Sequence, residues 1–296
     1  MSSGYSSEPL CLVNFDIGNE YKSAFIQLLD RGQQIALPAS QLCLGLTADA
    51  SHSLLCTILE NNGGIIDSHS TAFVYGFEAS ESPKLHGIVK HCKSCVFHRA
   101  GLWCVSQPGR DLEAGVISLS FADLLGLSQV ELRENPAVFG TLSDPISMEA
   151  MDGNVACVFT AHGASLCDLR AKGIQCIYQS RNRLLSGVMC KEGDALVVSS
   201  DADTVSVIET RKATNALYET SVSFPVTLRS SIGGKVALAI SRRQVGVLHV
   251  GRPGFLGAFE NPGTILDATL LTEEQHIVRV LSSSADGCLS DWSMEF

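Results

Sequence analysis

The sequence predicts an all-β chain built from seven small, repeated antiparallel sheets. Three observations carry that expectation. Apolar residues fall in short runs of about five to seven residues with period-two patterning, as in VACVFT, SLCDL, IQCIYQ, ALVVSS, TVSVIE, KVALAI, QVGVLHV and HIVRVL. Gly, Asp, Asn and Ser punctuate the runs, which is hairpin chemistry. The runs also recur at a nearly constant spacing. At 296 residues the chain is long enough for one large domain or two ordinary ones.

Taken in order, Leu10–Phe15 reads as a strand, Asp16 to Asn19 as its turn, and Lys22–Leu29 as the next strand. Leu29-Asp30 closes that strand and Arg31-Gly32-Gln33 turns it back. Comparable units follow at Ala72–Gly76 and Gly115–Phe121, and Phe121–Leu127 is the best candidate for a short helix. Further units end at Cys167-Asp168, Ile208-Glu209, Leu248-His249 and Trp292. The equivalent positions 29, 75, 120, 167, 208, 248 and 292 lie 40 to 47 residues apart, about 44 on average. Seven such units use up the chain.

The last unit is the most explicit. A strand ends at Ser283-Ser-Ala, Asp286-Gly287 makes the turn, and the next strand carries Trp292. This resembles the end of a WD40 repeat, and Leu29-Asp30 takes the Trp-Asp place in the first unit. The resemblance covers nearly the whole chain, by period and strand order more than by motif. It implies a seven-bladed β-propeller over residues 10–296, preceded by a flexible tail at 1–9, each blade having strands a to d. It also implies a His, Ser/Thr, Asp and Trp hydrogen-bond chain in each blade, which only the last unit largely keeps, in Asp286 and Trp292. Cys167, Ile208 and Leu248 would fill the Trp slot as apolar groups, so no buried polar partner needs satisfying. The order Ser94-Cys-Val-Phe-His, then Trp103 to Arg110 with its Pro-Gly-Arg loop, then Val247-Leu-His249, is similar to that of G-protein β-like WD40 subunits associated with the ASTRA assembly. Ubiquitin-ligase adaptors, trafficking coats and chromatin scaffolds fit the same features. In this frame the first unit starts at strand b and the last stops at strand c, so the expected ring has an incomplete first or last blade.

Composition narrows the function. With 21 basic and 31 acidic residues the formal charge is −10, and aromatics are 6%, which disfavours a nucleic-acid platform. No window approaches about eighteen uninterrupted apolar residues, so no membrane insertion is expected. The start, MSSGYSSEPL, lacks a signal pattern. Eleven scattered cysteines then read as reduced thiols of a cytoplasmic or nuclear protein that is not secreted.

Catalytic groupings are lacking: there is no Gly-x-Ser-x-Gly, no His-Glu-x2-His and no phosphate-binding glycine loop. Cys92-x2-Cys95 between His91 and His98 has zinc-type donors. On a regular strand, however, Cys92 and Cys95 would point to opposite faces, and no second Cys-x2-Cys completes a tetrahedron. An inner strand a with small buried residues is expected there, and no metal. Asp201 and Asp203 offer too few oxygens for calcium and read as an exposed b–c turn.

In a propeller the d–a and b–c loops share one face. That face is expected to hold Asp16, Asn19, His91, Lys93, Arg110, Asp111, His162, Arg181, Arg183, Asp201, Asp203, Arg242, Arg243, Asn261 and Asp286. Two long b–c connections, Asn61–Ser70 and Gln107–Gly115, and a long d–a connection, Glu134–Asp144, would build it up. Arginines there could dock an acidic peptide or partner loop. The expected function is therefore a non-catalytic scaffold that binds other proteins in a multiprotein complex, without cofactor or small-molecule substrate. The alternative is an enzyme or small-ligand or metal-binding propeller, with His162, Asp201 and Asp286 converging on a central channel.

Overall fold

The computed structural model describes residues 11–15, 24–28, 33–36, 42–49, 53–60, 70–76, 84–98, 101–106, 114–126, 130–131, 138–139, 142–151, 154–168, 170–171, 173–190, 194–212, 216–230, 234–273, 277–286 and 288–296. They form seven sheets, and the chain divides into two compact units, Met1–Leu142 and Ser143–Phe296. The all-β expectation holds at this level.

The first unit contains three sheets. Strands β1 (Cys11–Phe15), β2 (Ala24–Leu28) and β3 (Gln33–Ala36) make the first, as an antiparallel meander. Strands β4 (Leu42–Asp49), β5 (Leu54–Glu60), β6 (Ser70–Gly76) and β7 (Lys84–Lys90) make the second. In the third, β8 (Cys92–His98), β9 (Gly101–Ser106) and β10 (Val116–Ser120) run directly into a short helix, α1 (Phe121–Gly126). β9 is buried at every position, which is why GLWCVS reads as a continuous apolar run rather than an alternation. The helix puts Leu124 into the core and stacks Phe121 on Phe97, with centroids 6.3 Å apart.

After α1 the chain departs from a plain meander. Strand β11 (Val130–Glu131) leaves its own sheet and pairs in parallel with β7, making the second sheet five-stranded. Strand β12 (Val138–Phe139) then returns to pair with β10. This corrects the reading of Glu134–Asp144 as one long d–a loop, because the outer strand of the third sheet lies inside it. Two-residue strands bury too little to leave a periodic signal.

The second unit is more regular. Its sheets are β13 (Pro145–Ala150), β14 (Val155–Thr160), β15 (Gly163–Asp168) and β16 (Gly173–Gln179); β17 (Leu184–Cys190), β18 (Ala195–Ser200), β19 (Thr204–Glu209) and β20 (Ala216–Ser221); β21 (Thr227–Ser230), β22 (Val236–Ile240), β23 (Gln244–His249) and β24 (Phe255–Glu260); and β25 (Ile265–Glu273), β26 (Ile277–Ser284) and β27 (Leu289–Glu295). All pair antiparallel in sequence order. Second strands such as β18 and β22 are buried throughout, whereas β20 and β27 alternate half-buried with exposed. The three-stranded sheets are the first and the last.

Sheet packs on sheet through the first strands. The Met189 N–H donates to the Glu149 carboxylate at 2.6 Å and the Ser230 hydroxyl donates to the Met189 carbonyl at 2.9 Å. The Leu228 N–H donates to Ser186 Oγ at 3.0 Å, and Arg229 meets Asp267 at 3.1 Å. β13, β17, β21 and β25 are thereby tied in succession.

The repeat positions are structurally equivalent in this unit. Cys167, Ile208 and Leu248 are each 0% exposed on the third strand of their sheet. Trp292 takes the same place in the last sheet, where its Nε1 donates to the buried Ser282 hydroxyl at 3.0 Å and its ring stacks on Phe259. The Ser284 hydroxyl donates to Asp286, which also accepts the Cys288 N–H. The only explicit unit in the sequence is thus the one that spends a side-chain hydrogen bond on its tryptophan.

Candidate functional site

The meander decides where the loops go. With strands running up, down, up and down, the turn between the second and third strands and the passage to the next sheet fall at the same end. In the second unit a row of backbone hydrogen bonds stitches these loops together. The Ala161 N–H donates to the Asp144 carbonyl at 2.9 Å, and the Ser180 N–H to the His162 carbonyl at 2.9 Å. The Asp201 N–H donates to the Arg183 carbonyl at 2.9 Å, and the Val222 N–H to the Asp203 carbonyl at 2.8 Å. Ile265 and Asn261 donate to the carbonyls of Arg242 and Arg243 at 2.7 and 2.8 Å, and Ala285 donates to the Thr264 carbonyl at 2.8 Å. Loop residues of four consecutive sheets therefore stand in one continuous row with their backbones satisfied.

This row places His162, Arg181, Arg183, Asp201, Asp203, Arg242, Arg243 and Asp286 at one end of the second unit, all exposed. Arg181 and Arg183 lie on the passage from β16 to β17, and Arg242 and Arg243 on the β22–β23 turn. Among the described residues none of these four guanidinium groups is in an ion pair. Asp201–Asp203 is the expected turn, with Asp203 at φ 55. His162 lies 3.8 Å from the Asp144 carboxylate, both largely exposed.

Two expected members have local duties. Asn261 is 7% exposed; its side chain accepts the Gly263 N–H at 3.0 Å and donates to Ser290 at 3.3 Å, so it organises its loop. Hydrogen bonds from Ser284 and Cys288 hold the Asp286 carboxyl below its ordinary range. Asp168, at the end of β15, is bound by Arg170 Nη2 at 2.9 Å and Nε at 3.1 Å, which lowers its pKa.

Sequence reasoning passed over Phe224. It sits in Ser223-Phe224-Pro225 on the passage from β20 to β21, between the two arginine pairs in loop order, and is 67% exposed. Its signal was an aromatic beside a proline in a segment with no strand pattern.

Other candidates stand elsewhere. Leu29, Asp30, Arg110, Asp111, Gly287, Asp16, Asn19, the tail at 1–9 and most of the connections Asn61–Ser70 and Gln107–Gly115 lie outside the described residues. His91, at φ 57, is the whole connection between β7 and β8, and Lys93 lies inside β8 rather than in a loop. β8 also corrects the geometry expected for its cysteines. Cys92 pairs with Ser106 and Cys95 with Cys104, with a bulge between Cys92 and Ser94. Partners two apart on β9 share a face, so the bulge turns Cys92 and Cys95 to the same side. Both join the core that contains Cys56 and Cys104. Even so, no group of three or more His, Cys, Asp or Glu among the described residues is disposed to hold a metal ion. Nor is any helix among them long and apolar enough to cross a membrane.

The chain matches no protein-family model and no curated protein sequence.

Proposed function

We propose that the seven sheets are blades of one WD40-type β-propeller, that the chain is a scaffold, and that it binds another protein through the loop row of the second unit. The observation that carries this reading is the row itself. Hydrogen-bonded loop backbones present Arg181, Arg183, Arg242 and Arg243 on either side of the exposed Phe224. Aromatic and arginine side chains on a rigid frame are the residues that dominate binding energy at protein interfaces. A chain of formal charge −10 that nevertheless gathers unpaired arginines there suits a partner segment with carboxylates around an apolar residue. Asp201 and Asp203, between the two pairs in loop order, fix the register of such a segment by repelling misplaced carboxylates.

The test is quantitative affinity capture with the full-length chain, comparing wild type with Arg181→Glu/Arg242→Glu. A control pair, Arg170→Glu/Arg211→Glu, alters hairpins at the other loop ends. Partners lost in the first variant and kept in the control support the reading. Identical partner sets in all three overturn it.

A further inference from the structure

Among the described residues of the first unit are four thiols that neither the strand repeat nor the loop row uses. Cys56 on β5, Cys92 and Cys95 on β8, and Cys104 on β9 share one apolar core spanning two sheets. Cys56, Cys92 and Cys104 are each 0% exposed, whereas Cys95 is only partly buried. The Cys95 thiol donates to Cys56 Sγ across 3.3 Å. Cys92 lies in the same core as Cys95 and Cys104, and its own thiol donates to the Ser94 carbonyl at 3.4 Å. That placement depends on the β8 bulge; on an unbroken strand Cys92 would face away.

The geometry points to Cys95 and Cys56 as a redox pair that a hydroperoxide oxidises to a disulfide joining β8 to β5. A disulfide has an S–S bond of about 2.05 Å, so the sulfurs need to approach by only about 1 Å. The donor set is not arranged around a metal ion, so pairing rather than chelation suits the spacing.

The order of events follows from access. Cys95 is the least buried of the four residues; its thiolate attacks one peroxide oxygen, the O–O bond breaks, and the departing hydroxide takes up a proton. This leaves a sulfenic acid on Cys95 and one water. Cys56 sulfur then attacks Cys95 sulfur, the S–O bond breaks, and the departing hydroxide leaves as water with the Cys56 proton. Two thiols and one hydroperoxide give one disulfide and two waters (one water and one alcohol for an alkyl hydroperoxide). The Cys95 hydrogen bond and burial raise Cys56 well above its ordinary pKa, which keeps it unreactive until a sulfenic acid forms beside it. The Cys92 thiol lowers the Cys104 pKa, but burial and the nearby Cys95 and Cys56 outweigh it and raise the group to about 11; Cys104 is also 0% exposed, which shields it from peroxide. The bond would span 39 residues of sequence and brace two sheets of the first unit covalently.

Reduced full-length protein is treated with hydrogen peroxide, quenched, unfolded in alkylating reagent and mapped by peptide mass spectrometry. The expected result is a linked pair of peptides carrying Cys56 and Cys95, with Cys92 and Cys104 alkylated. Cys95→Ser should abolish the link and leave Cys56 alkylated, and Cys56→Ser should leave a dimedone-reactive sulfenic acid on Cys95. Separate alkylation of Cys56 and Cys95 in treated wild type, or a link joining other cysteines in their place, overturns the proposal. The wild-type map decides the matter even where a variant fails to fold.

Discussion

Glu149 offers a prediction whose size follows from the structure. It sits part-buried on β13, and its carboxylate accepts the Met189 N–H of β17 at 2.6 Å. Burial raises its pKa from 4.5 to about 7, with the Met189 N–H and the charge of Arg229 opposing only part of the rise. A carboxyl group whose folded pKa exceeds its unfolded value binds more protons in the fold, so stability falls as pH rises between 4.5 and about 7. At about 1.36 kcal/mol per pKa unit, the full loss is about 3 kcal/mol, most of it between pH 5 and pH 8. Glu149→Gln keeps an acceptor for the Met189 N–H but cannot ionise. Urea unfolding at pH 5 and pH 8 should show wild type losing roughly 2 to 3 kcal/mol across that interval relative to the variant, which is the more stable at pH 8. The half-buried Asp168 and the exposed Asp286 and Asp291 have lowered pKa values, so what they contribute is lost only as pH falls below about 4, outside this window. Parallel pH profiles for wild type and variant would show that Glu149 does not ionise against a burial penalty in this interval.

Three further outcomes follow from the same structure. A Cβ on Gly163 would lie 2.1 Å from the Tyr178 carbonyl oxygen on the paired strand, so Gly163→Ala should cost about 1 to 3 kcal/mol in denaturant unfolding. Trp292→Phe keeps the stack on Phe259 but strands the buried Ser282 hydroxyl; a loss of about 1 kcal/mol is expected, recovered in part by adding Ser282→Ala. Phe224→Ser should leave stability within about 0.5 kcal/mol of wild type while weakening binding of a captured partner at least about tenfold by titration.

Much of the fold was legible because the second strands of the second-unit sheets, such as β14, β18 and β22, are apolar runs bounded by turn residues. ALVVSS and TVSVIE are β18 and β19 to the residue. The spacing rule also placed Cys167, Ile208 and Leu248 correctly, since equal positions in equal sheets meet equal burial. The loop row was legible for the same reason: topology alone puts its loops at one end. The parts that escaped are those that period-two patterning does not encode. A bulge resets the alternation without changing residue type, so the facing of Cys92 was misread. β11 and β12 are two residues each and are held by backbone pairing. Phe224 lies in a segment with no period at all, where apolar character is visible but exposure is not.

Electron cryo-microscopy of the full-length chain with a captured partner tests the central claim most directly. The expected map shows seven blades in a closed ring, with partner density on the loops that carry Arg181, Phe224 and Arg242. Partner density confined to the opposite loop ends, or two sheet assemblies that do not share a ring, would contradict it.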